Sequence, residues 1–222
     1  MIKFLDLHKI NLPYQEALHQ KLQDVLDKGW FILGDEVKAF EKSFASYCGM
    51  KHCIGVGNGL DAMVLIFKAY IQLGVLKKGD EVIVPANTYI ASILAILQSD
   101  LVPVLVEPDS KTYNIDPDLI VEKITNKTKG ILVVHLYGQL ADMDKINEIG
   151  KKYNLLIVED AAQAQGLTFR GNNTKAFSFY PGKNLGSLGD AGAITTNDDA
   201  LAEVLFAMRN YGSEKKYYNE II

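Results

Sequence analysis

Short apolar runs alternate with longer amphipathic stretches along most of this chain. The runs are rich in Val and Ile and lack strict two-residue alternation, which is typical of strands that are covered on both faces. We predict strands at Cys53–Val56, Glu81–Val84, Pro103–Val106, Ile131–Leu136, Leu155–Val158, Ala176–Tyr180 and Ala191–Thr196.

The stretches between these runs have the apolar spacing of helices. Asp116-Pro117 marks the clearest start, because Asp is a favoured N-cap and Pro is favoured at the first helical position. We predict helices at Tyr14–Lys28, Asp35–Tyr47, Asp61–Leu73, Tyr89–Leu97, Asp116–Ile124, Asp142–Tyr153 and Asp199–Arg209. Strands that alternate with helices predict an α/β fold, with a mostly parallel sheet and helices on both of its faces.

Composition narrows the possible classes of protein. The 222 residues are 48% hydrophobic and 23% charged, as in an ordinary globular protein, and suffice for one large domain or two small ones. A net charge of −4 gives no general attraction to nucleic acid or to an anionic membrane surface. We interpret Cys48 and Cys53 as free thiols in a reducing compartment, and we expect a cytoplasmic protein without a nucleic-acid or membrane partner.

Ligands of open α/β sheets bind at the carboxyl ends of the strands, so the residues that follow each predicted strand are the candidate binding residues. Gly57–Asp61 follows the first predicted strand and precedes a helix. Glycines let the backbone approach a ligand, and a helix N-terminus presents N–H groups to phosphate. The alternative is a plain tight turn, and the spacing is not that of a dinucleotide-binding loop.

Other strand ends carry groups with chemical potential. Tyr89 could be an ordinary core aromatic, and His135, within a predicted strand, is more typical of a buried histidine than of a catalytic one. Glu159-Asp160 would need a cationic partner such as a protonated ligand nitrogen, unless an acid caps a helix. Lys183 alone would be a surface charge, but its glycine-flanked turn could hold it in a cleft as a nucleophile.

Together, these features match the needs of a pyridoxal phosphate (PLP) site. A phosphate cradle, a stacking aromatic ring, an acid that keeps the pyridine nitrogen protonated and a lysine that forms a Schiff base are its parts. No cluster of metal-ligating residues surrounds His135, so we predict no metal site.

Five segments, in this order, resemble the DegT/DnrJ/EryC1/StrS family of PLP-dependent nucleotide-sugar aminotransferases. They are GNGLDAM (57–63), GDEVIVPANTYIAS (79–92), VHLYGQLADMD (134–144), VEDAAQAQG (158–166) and FSFYPGKNLGSLGDAGAITT (177–196). The resemblance implies the α/β fold of the aspartate-aminotransferase-like PLP-dependent transferases. Residues 1–222 would be its PLP-binding large domain, including N-terminal helices within residues 1–50.

The resemblance also implies roles for single residues. Lys183 matches the Schiff-base lysine, which also serves as general acid and base, and Asp160 matches the acid that faces the pyridine nitrogen. Gln163 matches the residue near the phenolic oxygen of the cofactor, and Tyr89 matches the stacking aromatic. Lys183 also argues against relatives that carry histidine at this position and catalyse dehydration.

The remaining implied roles concern the phosphate and the substrate. Ser178 and the backbone of Gly59 and Leu60 match the phosphate cradle, while His135 and Tyr137 could line a sugar pocket. The implied reaction moves an amino group from an amino acid, usually L-glutamate, to a nucleotide-linked keto-deoxysugar in deoxyaminosugar and surface-polysaccharide biosynthesis. Enzymes that aminate C3 of a dTDP-linked 3-keto-6-deoxyhexose look most similar, and the family form is a homodimer.

Three departures from the family pattern affect these expectations. Gln165 stands where relatives usually have histidine, and the segment 167–176 is shorter than usual, which could distort the approach to Ser178 and Lys183. Relatives also continue beyond the last residues of this sequence, so we expect the C-terminal small domain to be absent. The alternative function is therefore a non-catalytic remnant that binds PLP without turnover.

Overall fold

A seven-stranded sheet forms the centre of the protein in the computed structural model, which describes residues 2–215 and 218–219. Its strands are β1 His52–Val56, β2 Glu81–Pro85, β3 Val102–Val106, β4 Thr128–Val134, β5 Leu156–Asp160, β6 Thr174–Ser178 and β7 Gly192–Thr196. Their order in the sheet is β1-β7-β6-β5-β4-β2-β3. Within this sheet, β7 runs in the opposite direction to the other six strands. The predicted α/β fold with a mostly parallel sheet is confirmed. Two further short strands, β8 Ser213–Lys215 and β9 Tyr218–Asn219, pair with each other in antiparallel orientation.

The helices occupy most of the predicted stretches. They are α1 Leu7–Asn11, α2 Gln15–Lys28, α3 Asp35–Tyr47, α4 Gly59–Gln72, α5 Ile90–Gln98, α6 Pro117–Ile120, α7 Met143–Tyr153 and α8 Asp199–Met208. Short 3-10 turns cover Leu12–Tyr14, Val121–Lys123 and Leu136–Gly138, so the predicted helix at Asp116–Ile124 is split in two. Within the described residues, no helix combines the length and the apolar character that a membrane span requires.

Helices cover both faces of the sheet. Successive side chains of a strand point to opposite faces, so neighbouring residues of β5 pack against different helices. Val158 packs with α4, α5 and α8 on one face, whereas Ile157 packs with α6 and α7 on the other. On α3, Phe44 makes edge-to-face contacts with Phe177 and Phe179, with ring centroids 5.0 and 5.2 Å apart. Aromatic pairs of this kind add to the stabilisation from buried apolar area.

Two strands end earlier than predicted. β4 ends at Val134, so the prediction that His135 lies within the strand is wrong. The chain turns there, with φ of 60° at Tyr137 and 76° at Gly138. β6 covers Thr174–Ser178 instead of Ala176–Tyr180, because the backbone turns before Pro181.

The segment before β6 does not disturb the sheet. β6 pairs with β5 from Thr174 to Ala176 and with β7 as far as Ser178. The expected distortion of the approach to Ser178 is therefore wrong at the level of strand pairing. Since β5 and β6 are parallel, Asp160 and Ser178 lie towards the same edge of the sheet.

Candidate active site

A cavity of about 570 Å³ lies at the carboxyl ends of the strands. Its volume is within the range that encloses a small-molecule cofactor. Every predicted site residue except Tyr137 lines it: Gly59, Leu60, Tyr89, His135, Asp160, Gln163, Ser178 and Lys183. These residues follow or end different strands, and the topology brings them together at one edge of the sheet.

Asp160, at the end of β5, presents a buried carboxyl group to this cavity. Its Oδ2 accepts a hydrogen bond from the Ser92 hydroxyl (2.8 Å), and its Oδ1 accepts one from the Ala162 N–H (3.1 Å). Burial raises the pKa of Asp160 above its usual value, and these two neutral donors oppose the shift only in part. The ionised carboxylate would therefore be stabilised by a cationic ligand group.

The first turn of α4 forms the opposite part of the cavity. Asn58 caps the helix, with its Oδ1 accepting from the Asp61 N–H at 2.8 Å. The N–H groups of Gly59 and Leu60 lie in the first turn, where an α-helix has no internal partners for them. A Cβ at Gly59 would lie 2.8 Å from the Cβ of Ser178, so only glycine lets the helix approach the end of β6 this closely.

The loop that carries Lys183 is closed at its base. Both the N–H and the hydroxyl of Ser187 donate to the Phe179 carbonyl at 2.7 Å, and the Lys183 N–H donates to the Tyr180 carbonyl at 2.8 Å. A Cβ at Gly186 would meet the Pro181 carbonyl oxygen at 2.5 Å, so this tight closure depends on glycine. The loop holds Lys183 half-buried at the cavity.

Gln165, which departs from the family pattern, joins three parts of the site. Its Nε2 donates to the carbonyls of Ser178 (2.5 Å) and Ala162 (3.3 Å). Its own carbonyl accepts from Asn184 Nδ2 at 2.8 Å, which ties it to the Lys183 loop. The side chain therefore makes two hydrogen bonds to backbone carbonyls, while its buried Oε1 has no partner within the described residues.

Tyr89 and Gln163 both remain available to a ligand. Tyr89 is 73% exposed at the cavity, so its interpretation as a core aromatic is wrong. Gln163 Oε1 accepts from the Tyr137 N–H at 2.7 Å. This bond orients the amide and leaves Nε2 as the donor that can serve a ligand oxygen.

His135 and Tyr137 differ in their surroundings. The His135 ring is fully buried, with Nε2 2.9 Å from Glu159 Oε2, which favours the buried-histidine interpretation over contact with a sugar. Tyr137 is 71% exposed and does not line the cavity. Their assignment to a sugar pocket stays a prediction.

Sequence reasoning missed two contributors. Ser92 donates a hydrogen bond to the Asp160 carboxylate. It lies three residues after Tyr89, the N-cap residue of α5, and this spacing could have revealed it. Lys175 is fully buried and pairs with Glu159 at 3.6 Å, which supplies the cation expected for that acid. The position of Lys175 in a strand gave no signal of this partnership.

A protein-family model establishes the family to which this chain belongs. The model of the DegT/DnrJ/EryC1/StrS aminotransferase family matches residues 14–222. This chain belongs to that family. The segments that resembled the family in sequence therefore reflect membership, and the fold is that of the aspartate-aminotransferase-like PLP-dependent transferases, as expected.

Several family members are similar over nearly the whole chain. The dTDP-3-amino-3,6-dideoxy-alpha-D-galactopyranose transaminase of Aneurinibacillus thermoaerophilus is 61% identical, covering 99% of this chain and 61% of the relative. The crystal structure of S. venezuelae DesV, in complex with a ketimine intermediate, has a TM-score of 0.93 at 46% identity, covering 99% of this chain and 60% of DesV. Bacillus subtilis NtdA, solved with bound cofactor PMP, has a TM-score of 0.93 at 38% identity, covering 100% of this chain and 51% of NtdA.

Length separates this chain from these family members. It spans about 60% of the curated relatives that it matches. The matched part contains the cavity and the residues around it, from Gly59 to Lys183.

Proposed function

We propose that this chain binds PLP in the cavity at the sheet edge and serves the transfer of an amino group from L-glutamate to a nucleotide-linked keto-deoxysugar. The observation that carries the proposal is the buried Asp160 carboxylate, which shares one cavity with Lys183 and with the first turn of α4. A cationic ring nitrogen, a carbonyl carbon and a phosphate are the groups that these three features would recognise.

The residues fit the cofactor in their donor and acceptor chemistry. Asp160 would pair with the protonated pyridine nitrogen, and the Lys183 amine would hold the carbonyl carbon covalently. Gln163 Nε2 would donate to the phenolic oxygen, because its Oε1 is already engaged by Tyr137. Tyr89 would stack on the ring from its exposed position.

The phosphate would be held by groups that have no stronger partner among the described residues. These are the N–H groups of Gly59 and Leu60 and the hydroxyl of Ser178, whose oxygen accepts only a long bond (3.4 Å) from the Tyr180 N–H. The missing Cβ at Gly59 leaves the close approach that such a cradle needs.

Chemistry is divided between the cofactor and the chain. Bound PLP supplies an electron-withdrawing ring that accepts the electron pair left when a carbon next to nitrogen loses its proton. Once the amino group of the donor has replaced it at the carbonyl carbon, Lys183 would move that proton as general acid and base, for which its place in a closed loop gives a defined position. Asp160 would keep the ring nitrogen protonated, so that the ring retains its electron-withdrawing power.

The relatives support a more specific substrate. They include a dTDP-3-amino-3,6-dideoxy-alpha-D-galactopyranose transaminase and a dTDP-3-amino-3,4,6-trideoxy-alpha-D-glucose transaminase. We therefore propose C3 amination of a dTDP-linked 3-keto-6-deoxyhexose, in deoxyaminosugar and polysaccharide biosynthesis in the cytoplasm. Tyr137 remains a candidate for contact with the sugar, whereas the buried ring of His135 could serve that side of the site only through its neighbours.

We also propose that residues 1–222 represent the cofactor-binding large domain and that the protein acts as a homodimer. Exposed apolar side chains support a partner surface: Trp30, Phe31 and Ile32 are 55%, 61% and 76% exposed. Phe31 and Ile32 border a second cavity of about 1080 Å³. Contiguous apolar surface of this kind is typical of an interface.

The test uses the visible absorbance of lysine-bound PLP. The purified protein titrated with PLP should gain this band, Lys183→Ala should lose it, and Lys78→Ala, at an exposed lysine, should keep it. Addition of L-glutamate should then remove the band, and a dTDP-linked sugar should bind in calorimetric titration. A colourless protein would refute the proposal, whereas a band that L-glutamate leaves unchanged would favour binding without turnover.

A further inference from the structure

Three ionisable side chains, Glu159, His135 and Lys175, are buried without measurable exposure directly behind the candidate PLP site. Glu159 and Lys175 are register partners on the neighbouring parallel strands β5 and β6, so their side chains lie on the same face of the sheet. Asp160 follows Glu159 in the strand and points to the opposite face, towards the cavity. Charges at this depth require partners, because unpaired charge in the interior is costly.

Each polar group of this buried triad has a partner. Glu159 Oε2 accepts from His135 Nε2 at 2.9 Å, while Oε1 accepts from Asn173 Nδ2 at 2.8 Å and lies 3.6 Å from Lys175 Nζ. Lys175 Nζ also donates to the Asn173 carbonyl at 2.8 Å. Because His135 Nδ1 accepts from the Ala141 N–H at 3.3 Å, the ring is the neutral tautomer that carries its proton on Nε2.

The backbone connects this triad to the site residues. The His135 N–H donates to the Asp160 carbonyl at 3.1 Å. Two residues later, the Tyr137 N–H donates to Gln163 Oε1 at 2.7 Å, although Tyr137 has the unfavourable φ of 60°. The imidazole ring therefore anchors a turn that has two N–H groups bonded to site residues. One holds Asp160, at the pyridine end of the site, and the other holds Gln163, at its phenolic end.

We propose that the Glu159–His135 hydrogen bond positions Asp160 and Gln163 for the cofactor, and that Lys175 balances the buried carboxylate charge. This inference rests on the proposed function for its meaning, but the link itself is a property of the protein without ligand. Glu159, His135 and Lys175 are thus positioning residues, since in the described part of the chain their side-chain hydrogen bonds and ion pairs join them to one another, to Asn173 and to the Ala141 N–H.

The test separates the hydrogen bond from the buried charge. Lys175→Met is combined either with Glu159→Gln or with Glu159→Leu. Both double variants lack the charged pair, but only the glutamine keeps an oxygen that can accept from His135 Nε2. Comparison of the two variants therefore reports the hydrogen bonds that the side chain at position 159 accepts, from His135 Nε2 and from Asn173 Nδ2, separately from its charge and with no unpaired lysine.

Two measurements follow. Amide hydrogen exchange of the ligand-free protein should show at least tenfold faster exchange at residues 135 and 137 in the leucine variant, with the glutamine variant close to wild type and Leu132 in β4 unchanged in both. PLP titration should show at least tenfold weaker binding, and a shifted pH midpoint of the visible band, in the leucine variant only. A control, Tyr70→Phe, removes a buried 3.0 Å hydrogen bond to Thr174 on β6 and should change neither.

The outcomes are separable. Equal exchange at residues 135 and 137 in the two double variants would overturn the inference. Faster exchange in the leucine variant, with wild-type affinity and midpoint for PLP, would also overturn it. If the wild-type protein forms no visible band, the proposed function fails, and the exchange result still decides whether the hydrogen bond positions the turn.

Discussion

The buried carboxyl of Asp160 leads to a prediction in which stability and ligand affinity change in opposite directions. Asp160→Asn keeps the shape of the side chain but removes its charge. The Ser92 hydroxyl, 2.8 Å away, can rotate to accept from the new amide and donate to Thr88, whose hydroxyl lies 2.8 Å from it. The substitution therefore removes the cost of burying a charge without leaving an unpaired polar group.

The direction of the stability change follows from linkage. Burial raises the pKa of Asp160 in the folded protein above the unfolded value of about 3.9. Below that pH both states are protonated; as the pH rises through the folded pKa, the unfolded chain gives up its proton first and the wild type loses stability. Without cofactor, Asp160→Asn should thus be more stable at neutral pH by about 1 kcal/mol. That corresponds to about 2–4 °C in Tm for a chain of this size.

The affinity change has the opposite sign. A hydrogen bond to a charged group contributes about 1.5–3 kcal/mol, and its loss should weaken PLP binding by about 10- to 150-fold. Thermal unfolding from pH 4 to 8, with and without PLP, measures both effects. Asp109→Asn is the control: hydrogen bonds to Thr112 lower the pKa of the Asp109 carboxyl, so this variant should be less stable than wild type by a constant amount from pH 4 to 8, because the stabilisation that it lacks is lost only below the unfolded pKa of about 3.9. A constant Tm difference between Asp160→Asn and wild type across this range, or unchanged PLP affinity, would refute the reasoning.

Two further substitutions test the framework of the site. Gly59→Ala places a Cβ 2.8 Å from Ser178 Cβ, and should cost about 1–3 kcal/mol in stability and weaken PLP binding about tenfold, despite the higher helix propensity of alanine. Denaturation and PLP titration measure the two effects, and a stabilised variant would contradict the close approach. Phe44→Ala removes the ring that contacts Phe177 and Phe179, and should cost about 3–5 kcal/mol in urea unfolding; a loss under 1 kcal/mol would contradict its place in the core.

Much of the fold follows from local features of the sequence. Apolar runs such as Glu81–Val84 become buried strands, because a Val- and Ile-rich segment buries the side chains of both its faces when it lies inside a sheet that helices cover on both sides. Asp116-Pro117 starts a helix as expected, but that helix is only four residues long before it tightens into a 3-10 turn. Capping signals define where a helix begins more reliably than how long it continues, because its length depends on what it packs against.

The site was predictable as a set of residues, but its internal contacts were not. The ends of the predicted strands and the family resemblance predicted that Lys183, Asp160 and Gly59 share one site, because the carboxyl ends of parallel strands lie at the same edge of a sheet. The orientation of Gln163 depends on an N–H at Tyr137, and that bond requires a positive φ that tyrosine rarely adopts. No local preference of the sequence predicts such a conformation.

By itself, then, the sequence determined the order of strands and helices along the chain and the chemical groups at each strand end, since both depend on short-range patterns of side chains. Tertiary structure alone decided that Tyr89 is exposed, that His135 pairs with Glu159 and that Lys175 balances Glu159. The reason is physical: burial and charge pairing depend on which strands become neighbours. Glu159 and Lys175 are 16 residues apart in the chain, and only the parallel register of β5 and β6 places them side by side.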